Sequence, residues 1–208
     1  MSDKKKVIAV VGASSGCGAT FIATRLALQM GASDAGVTFL ENNMCDCAGC
    51  QRKPMVYHEL ELYRNRRFMD FFFEKATGRS IHNRANYCQG VNWVVKTPAS
   101  PLWQIRPEDV AGEYIIWDTK ENFEKADLIE CVLMPEKAHL MAGADTIRYC
   151  RDNFPGRTLF LFNRADSKAA IKQAEQLFGI EADFCVGSNM ESVEEVIGEL
   201  SEHILTLF

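Results

Sequence analysis

Short apolar blocks rich in β-branched and aromatic residues recur along the chain: Val7–Val11, Val37–Glu41, Val91–Lys96, Tyr114–Trp117, Leu128–Met134, Thr158–Phe162 and Asp183–Val186. Their length and composition predict strands. Between them, apolar positions fall three and four residues apart, the spacing of one helix face. Thr20–Met30 places Ala23, Leu26, Ala27 and Met30 on such a face, with Gly31 as its stop. Tyr57–Ala76, followed by Thr77 and Gly78, predicts a second helix, and Lys137–Asp152, Lys168–Phe178 and Glu191–Leu205 predict three more. The strands are too apolar to keep one face in water, and they alternate with helices. The pattern therefore predicts an α/β fold with three layers, a mostly parallel sheet covered by helices on both faces.

Residues 42 to 90 break this rhythm, with one long predicted helix flanked by polar and cysteine-rich segments. An insertion at the C-terminal edge of a parallel sheet is where ligands and partners bind. No internal repeat or linker interrupts the chain, and 208 residues suit one domain with a sizeable core. A net charge of −5 argues against a nucleic-acid binder while leaving room for a local basic patch. No apolar run approaches the roughly 18 residues that span a bilayer, and Val7–Val11 is too short for a signal-peptide core. These features predict a cytoplasmic protein with reduced cysteines. Of its eight cysteines, Cys131, Cys150 and Cys185 lie in apolar stretches and read as core, whereas Cys45, Cys47 and Cys50 do not.

The most chemical segment is VIAVVGASSGCGAT, residues 7 to 20. A buried strand runs into a glycine-rich turn and then a helix. The phosphate-loop pattern is G-x-x-x-x-G-K-[ST], in which backbone N–H groups and a helix N-terminus cradle phosphates and the lysine neutralises them. Gly18 and Thr20 fit that pattern, but Ala19 stands where the lysine belongs. Ala13 stands at the first glycine position, one residue after Gly12. Glycines that merely let a strand turn tightly into a helix would look the same. What speaks for a nucleotide site is the company the loop keeps further along the chain.

In the order of its motifs the chain resembles the ParA/MinD family of P-loop ATPases, which carries a deviant loop K-G-G-x-G-K-T. Aligned on Gly16, Gly18 and Thr20, Ser14 replaces a lysine that reaches across a dimer, and Ala19 replaces one that holds phosphate in cis. The family's D-x-D strand end, whose second Asp positions the attacking water, corresponds to Glu41 and Asn43. Its D-T-P-P strand end corresponds to Asp118 and Thr119, with Lys120 for the first Pro, and its adenine-reading Asn and following Arg correspond to Asn163 and Arg164. The closing DFCVGSNMESVEEV resembles the family's last strand, loop and helix.

The resemblance implies ATP and Mg²⁺ as cofactors. Gly12, Ser14, Ser15, Gly16, Cys17, Gly18, Ala19 and Thr20 would form the loop, Thr20 and Asp118 the Mg²⁺ site, and Asn163 and Arg164 the base end. It also implies a homodimer that engages a protein partner in a larger assembly, with no nucleic acid and only indirect membrane contact. Loss of both lysines resembles the TadZ/CpaE branch, which helps place or regulate pilus machinery. Charged groups of this kind are worth about 10³ to 10⁵ in rate, so the implied protein is a switch or pseudo-ATPase with weak or absent hydrolysis.

Two other readings use other residues. Cys45, Cys47 and Cys50 sit close enough in sequence for a thiolate site for zinc or an iron–sulfur cluster, with Cys88 or His58 as a fourth ligand or a second subunit completing it. Such a loop also reads as reduced, adventitious thiols. The segment Tyr57–Ala76 carries Arg64, Arg66 and Arg67 and then Phe68, Phe71, Phe72 and Phe73. It reads as a ligand-free scaffold's docking helix, or more simply as a helix with a solvated basic side and an aromatic core side.

Overall fold

Strand β1 (Lys6–Gly12) is central because its side chains are apolar on both faces. The computed structural model describes residues 5–43, 55–66, 68–76, 86–100 and 104–208. In it β1 lies between β5 (Tyr114–Thr119) and β6 (Leu128–Leu133) and runs parallel to both. The other strands are β2 (Val37–Glu41), β3 (Tyr87–Cys88), β4 (Val91–Val94), β7 (Thr158–Asn163) and β8 (Phe184–Val186). Among the described residues they form one eight-stranded sheet, ordered β3-β4-β2-β5-β1-β6-β7-β8. Every pairing is parallel except that of β3 with β4, at the edge. The two-residue β3 has exposed side chains and no apolar run, which is why no pattern in the chain announces it.

The two faces of the sheet carry separate cores. Ile8, Val10, Phe39, Trp93, Ile116, Val132 and Leu161 pack beneath α1 (Ala19–Gly31) and α7 (Met190–Leu207). Ala9, Val11, Leu40, Val94, Ile115, Cys131 and Phe162 pack on the other side, against α3 (Phe71–Ala76), α4 (Lys137–Ala142), α5 (Ala144–Asn153) and α6 (Lys168–Phe178). The strict alternation along each strand is the period-two geometry of a pleated strand, here with both faces covered.

Tyr57–Ala76 is not one helix. Helix α2 spans Met55–Glu59, a 3-10 turn covers Leu62–Arg64, and α3 begins at Phe71. Glu61 at φ 50° and the extended Asn65 end the first part. The Asp70 carboxylate accepts a 3.0 Å hydrogen bond from the Phe73 N–H to start the second. Val56 and Leu62 belong to the core beneath α1, whereas Phe71 and Phe72 belong to the opposite core. A segment feeding both faces cannot be one straight helix. Lys137–Asp152 also divides, at Gly143, where a Cβ would stand 2.9 Å from the Ala13 side chain and 3.0 Å from its carbonyl carbon. Cys131 and Cys150 are buried as expected, but Cys185 is exposed, because the short β8 presents it outward.

Glu130 is the anomaly of the core. It lies in mid-β6 with no exposure, and among the described residues neither carboxylate oxygen has a hydrogen-bond partner. Burial pushes its pKa from the ordinary 4.5 up to about 8. The unfolded chain releases this proton near the ordinary value while the folded chain keeps it, so stability falls as pH climbs through that window and levels off above about 8. Glu130→Leu should therefore be more stable than the parent chain by a few kcal/mol at about pH 7.5. The gain should shrink toward about pH 5. Urea midpoints across that range check this, and a gain growing toward acid would contradict it.

Backbone contact makes a second stability test. Gly90 has φ 76°, and a Cβ there would run into the carbonyl of Gly31 at the end of α1. Gly156 has φ 82° with open space around it. Gly90→Ala should cost about 2–4 kcal/mol. Gly156→Ala should cost only the left-handed penalty of about 1–2 kcal/mol.

Candidate functional site

The phosphate-loop segment connects β1 to α1 at the C-terminal edge of the sheet. Gly16 and Gly18 take φ values of 81° and 91°, which side chains resist. Gly18 caps α1 with no side-chain hydrogen bond, and the Ala19 N–H that opens the helix faces the Cys17 sulfur. Three contacts hold the loop's shape. A Cβ on Gly12 would meet the Cys17 sulfur at 2.9 Å, so only glycine lets that thiol fold back beneath the strand end. Asn163 Nδ2 donates to the Cys17 carbonyl at 2.9 Å, while its Oδ1 accepts from the Arg164 N–H at 3.0 Å. Ser14 Oγ lies 2.9 Å from His139 Nδ1.

Behind the loop, Thr20 Oγ1 donates to Asp118 Oδ2 at 2.8 Å. Asn43 Nδ2 donates to Asp118 Oδ1 at 3.1 Å and reaches Thr20 Oγ1 at 3.3 Å. Register explains the meeting: Val10 pairs with Asp118 across β1 and β5, and Glu41 pairs with Asp118 across β2 and β5. Asp118 has no exposure, and Glu41 accepts from the Lys96 N–H at 2.8 Å.

One cavity of about 530 Å³ collects Gly12, Ser14, Ser15, Gly16, Cys17, Gly18, Ala19, Thr20, Asn163 and Arg164, all expected from the chain alone. Asn43, Lys120, Gly187, Ser188 and Met190 join them, and Asp118 sits behind Thr20. Among the described residues the lining holds two cations, Lys120 and Arg164, and no carboxylate. The volume falls in the range of small-molecule sites. A glycine-rich loop leading into a helix N-terminus and a hydroxyl–carboxylate pair of hard oxygens fit a phosphate chain and Mg²⁺. His139 is a site residue that the sequence motifs do not mark. It comes from α4, whose distance along the chain hides its contact with Ser14.

Cys45, Cys47 and Cys50 lie outside the described residues, while His58 and Cys88 are exposed. Among the described residues no group of three or more His, Cys, Asp or Glu is placed to hold a metal ion, and no helix is long and apolar enough to cross a membrane.

Burial pushes the Cys17 thiol above its ordinary pKa, against opposing pulls from loop N–H groups and from Lys120. Its hydrogen bond with Cys150, together with burial, raises Cys131 well above the ordinary value. The loop thiol is thus a packing group. Native-state alkylation should label Cys88 and Cys185 well before Cys17, Cys131 and Cys150, as peptide mass spectrometry would show.

No protein-family model and no curated protein matches the chain. Solved structures do. A ParA family ATPase from Chlorobium tepidum TLS superposes with a TM-score of 0.64 at 16% identity, over 96% of this chain and 100% of its own. A proposed plasmid partition protein from Borrelia burgdorferi B31, bound to AMPPNP, gives 0.68 at 13% identity, covering 99% and 100%. The septum site-determining protein MinD from Pyrococcus horikoshii OT3, complexed with Mg-ADP, gives 0.66 at 12% identity, covering 98% and 97%. The chain has the ParA/MinD-like P-loop NTPase fold, with its mostly parallel sheet between helices.

Proposed function

We propose that this protein is an ATP-binding switch built on the ParA/MinD-like fold, with hydrolysis weak or lost. The observation that carries the proposal is the Thr20–Asp118–Asn43 cluster at the end of a glycine loop that opens into a cavity with no acidic lining among the described residues. Structures of similar fold contain AMPPNP or Mg-ADP, which supports the choice of ligand.

The loop N–H groups and the α1 N-terminus would receive the phosphates, and Asn163 with Arg164 would face the base end. Thr20 and Asp118 would hold Mg²⁺, which when bound offsets phosphate charge. Asn43 stands where the resemblance implies a water-positioning Asp. A neutral amide there can orient a water molecule but cannot take its proton. Ser14, held to His139, offers no cation to a second subunit. Turnover would be slow for both reasons. The protein would act by dimerising around nucleotide and engaging a larger assembly. The lysine loss shared with the TadZ/CpaE branch makes pilus or secretion machinery the assembly to test first.

Calorimetric titration of the reduced protein with ATP and Mg²⁺ should give binding between micromolar and low-millimolar levels. Gly18→Ala, which forces a side chain onto a φ of 91° and into Asn163 Nδ2, should weaken it at least about tenfold. Ala19→Lys should strengthen it by about tenfold. No gain would count against a loop shaped for phosphate.

A further inference from the structure

If the pocket takes a nucleotide, its phosphate charge must be met without the two loop lysines. Lys120 follows Asp118 and Thr119 at the C-terminal end of β5. Val11 pairs with Thr119, so the chain leaves β5 beside the point where β1 enters the loop. The Lys120 side chain lines the same cavity as Gly16, Cys17 and Thr20. Its charge is felt inside the loop, since it pulls down the pKa of the Cys17 thiol.

The cavity has a direction. Lys120 follows β5, next to β1 on one side, while Arg164 follows β7, two strands away on the other. Thr20 and Asp118 mark the metal and terminal-phosphate end, and Asp118 is two residues before Lys120. Gly187, Ser188 and Met190 close the opposite end, beyond β8. The two cations therefore serve different parts of an elongated anion. An ammonium acts as a point charge and makes no demand for a planar, bidentate approach, so it can serve phosphate from more than one side.

We infer that Lys120 supplies the phosphate-neutralising charge absent at Ala19, which makes the pocket selective for nucleoside triphosphates over monophosphates. The inference rests on the nucleotide reading of the pocket. Lys120 acts on the terminal phosphates, and Arg164 acts on the part that all adenine nucleotides share. In this arrangement the phosphate lysine sits just past the end of the neighbouring strand instead of on the loop.

The test is calorimetric titration with ATP, ADP and AMP, each with Mg²⁺, of the full chain and of Lys120→Gln, Arg164→Gln and Lys120→Gln/Ala19→Lys. Lys120 is exposed, so its replacement leaves the core intact, and equal thermal midpoints would verify that. Lys120→Gln should weaken ATP about tenfold and AMP less than about twofold. Arg164→Gln should weaken all three nucleotides by similar factors, and the double variant should regain most of the lost ATP affinity. Unchanged ATP binding by Lys120→Gln, or equal losses for ATP and AMP, would overturn the inference while leaving the pocket as a nucleotide site. Absence of ATP binding to the parent chain would overturn both together.

Discussion

A carboxylate with no exposure to water organises the C-terminal edge of this sheet. Burying Asp118 is costly unless its oxygens are hydrogen-bonded. Thr20 meets one oxygen and Asn43 the other. These bonds join the first helix, the end of β2 and the end of β5, three pieces of chain far apart in sequence. Moving any of them would strip a partner from the buried group. The parallel register of β1, β2 and β5 is what makes the meeting geometrically necessary.

The contacts that shape the loop are separate from the charges that would make it catalytic. Glycine at position 12 admits the Cys17 thiol, Asn163 holds the Cys17 carbonyl, and Gly143 lets α4 and α5 pack onto Ala13. None of these needs a lysine. The loop can therefore hold its backbone without a lysine, because packing and neutral hydrogen bonds set its shape. The molecule tolerates polar irregularity elsewhere too: Glu130 sits in the core with no hydrogen-bond partner among the described residues, kept neutral by its surroundings.

The layers and most elements were legible in the chain because apolar runs and helical spacing are local signals. Lys168–Phe178 forms the helix its spacing predicts, and the strand blocks pair as expected for a parallel sheet. What escaped was set by tertiary context. The break between α2 and α3 follows from a segment serving both faces, a fact about the sheet edge that no window of residues contains. The two-residue β3 exists through its pairing with β4. At the site, the loop, Asp118 and Asn163 stand out as motifs at strand ends. His139 does not, since its contact with Ser14 spans 125 positions.

The side chains around the loop bear on whether the cavity has a use. A loop that had become purely structural would be free to fill its cavity, because apolar side chains there would add buried area and stability. This one has not. Ala19, Ser14 and Ser15 are all small, and no side chain of the N-cap residue covers the first turn of α1. The volume of about 530 Å³ persists with cations at both ends. Leaving such a space open forgoes packing contacts. A bound anion would restore them, and Lys120, two residues after Asp118, would favour one orientation of that anion.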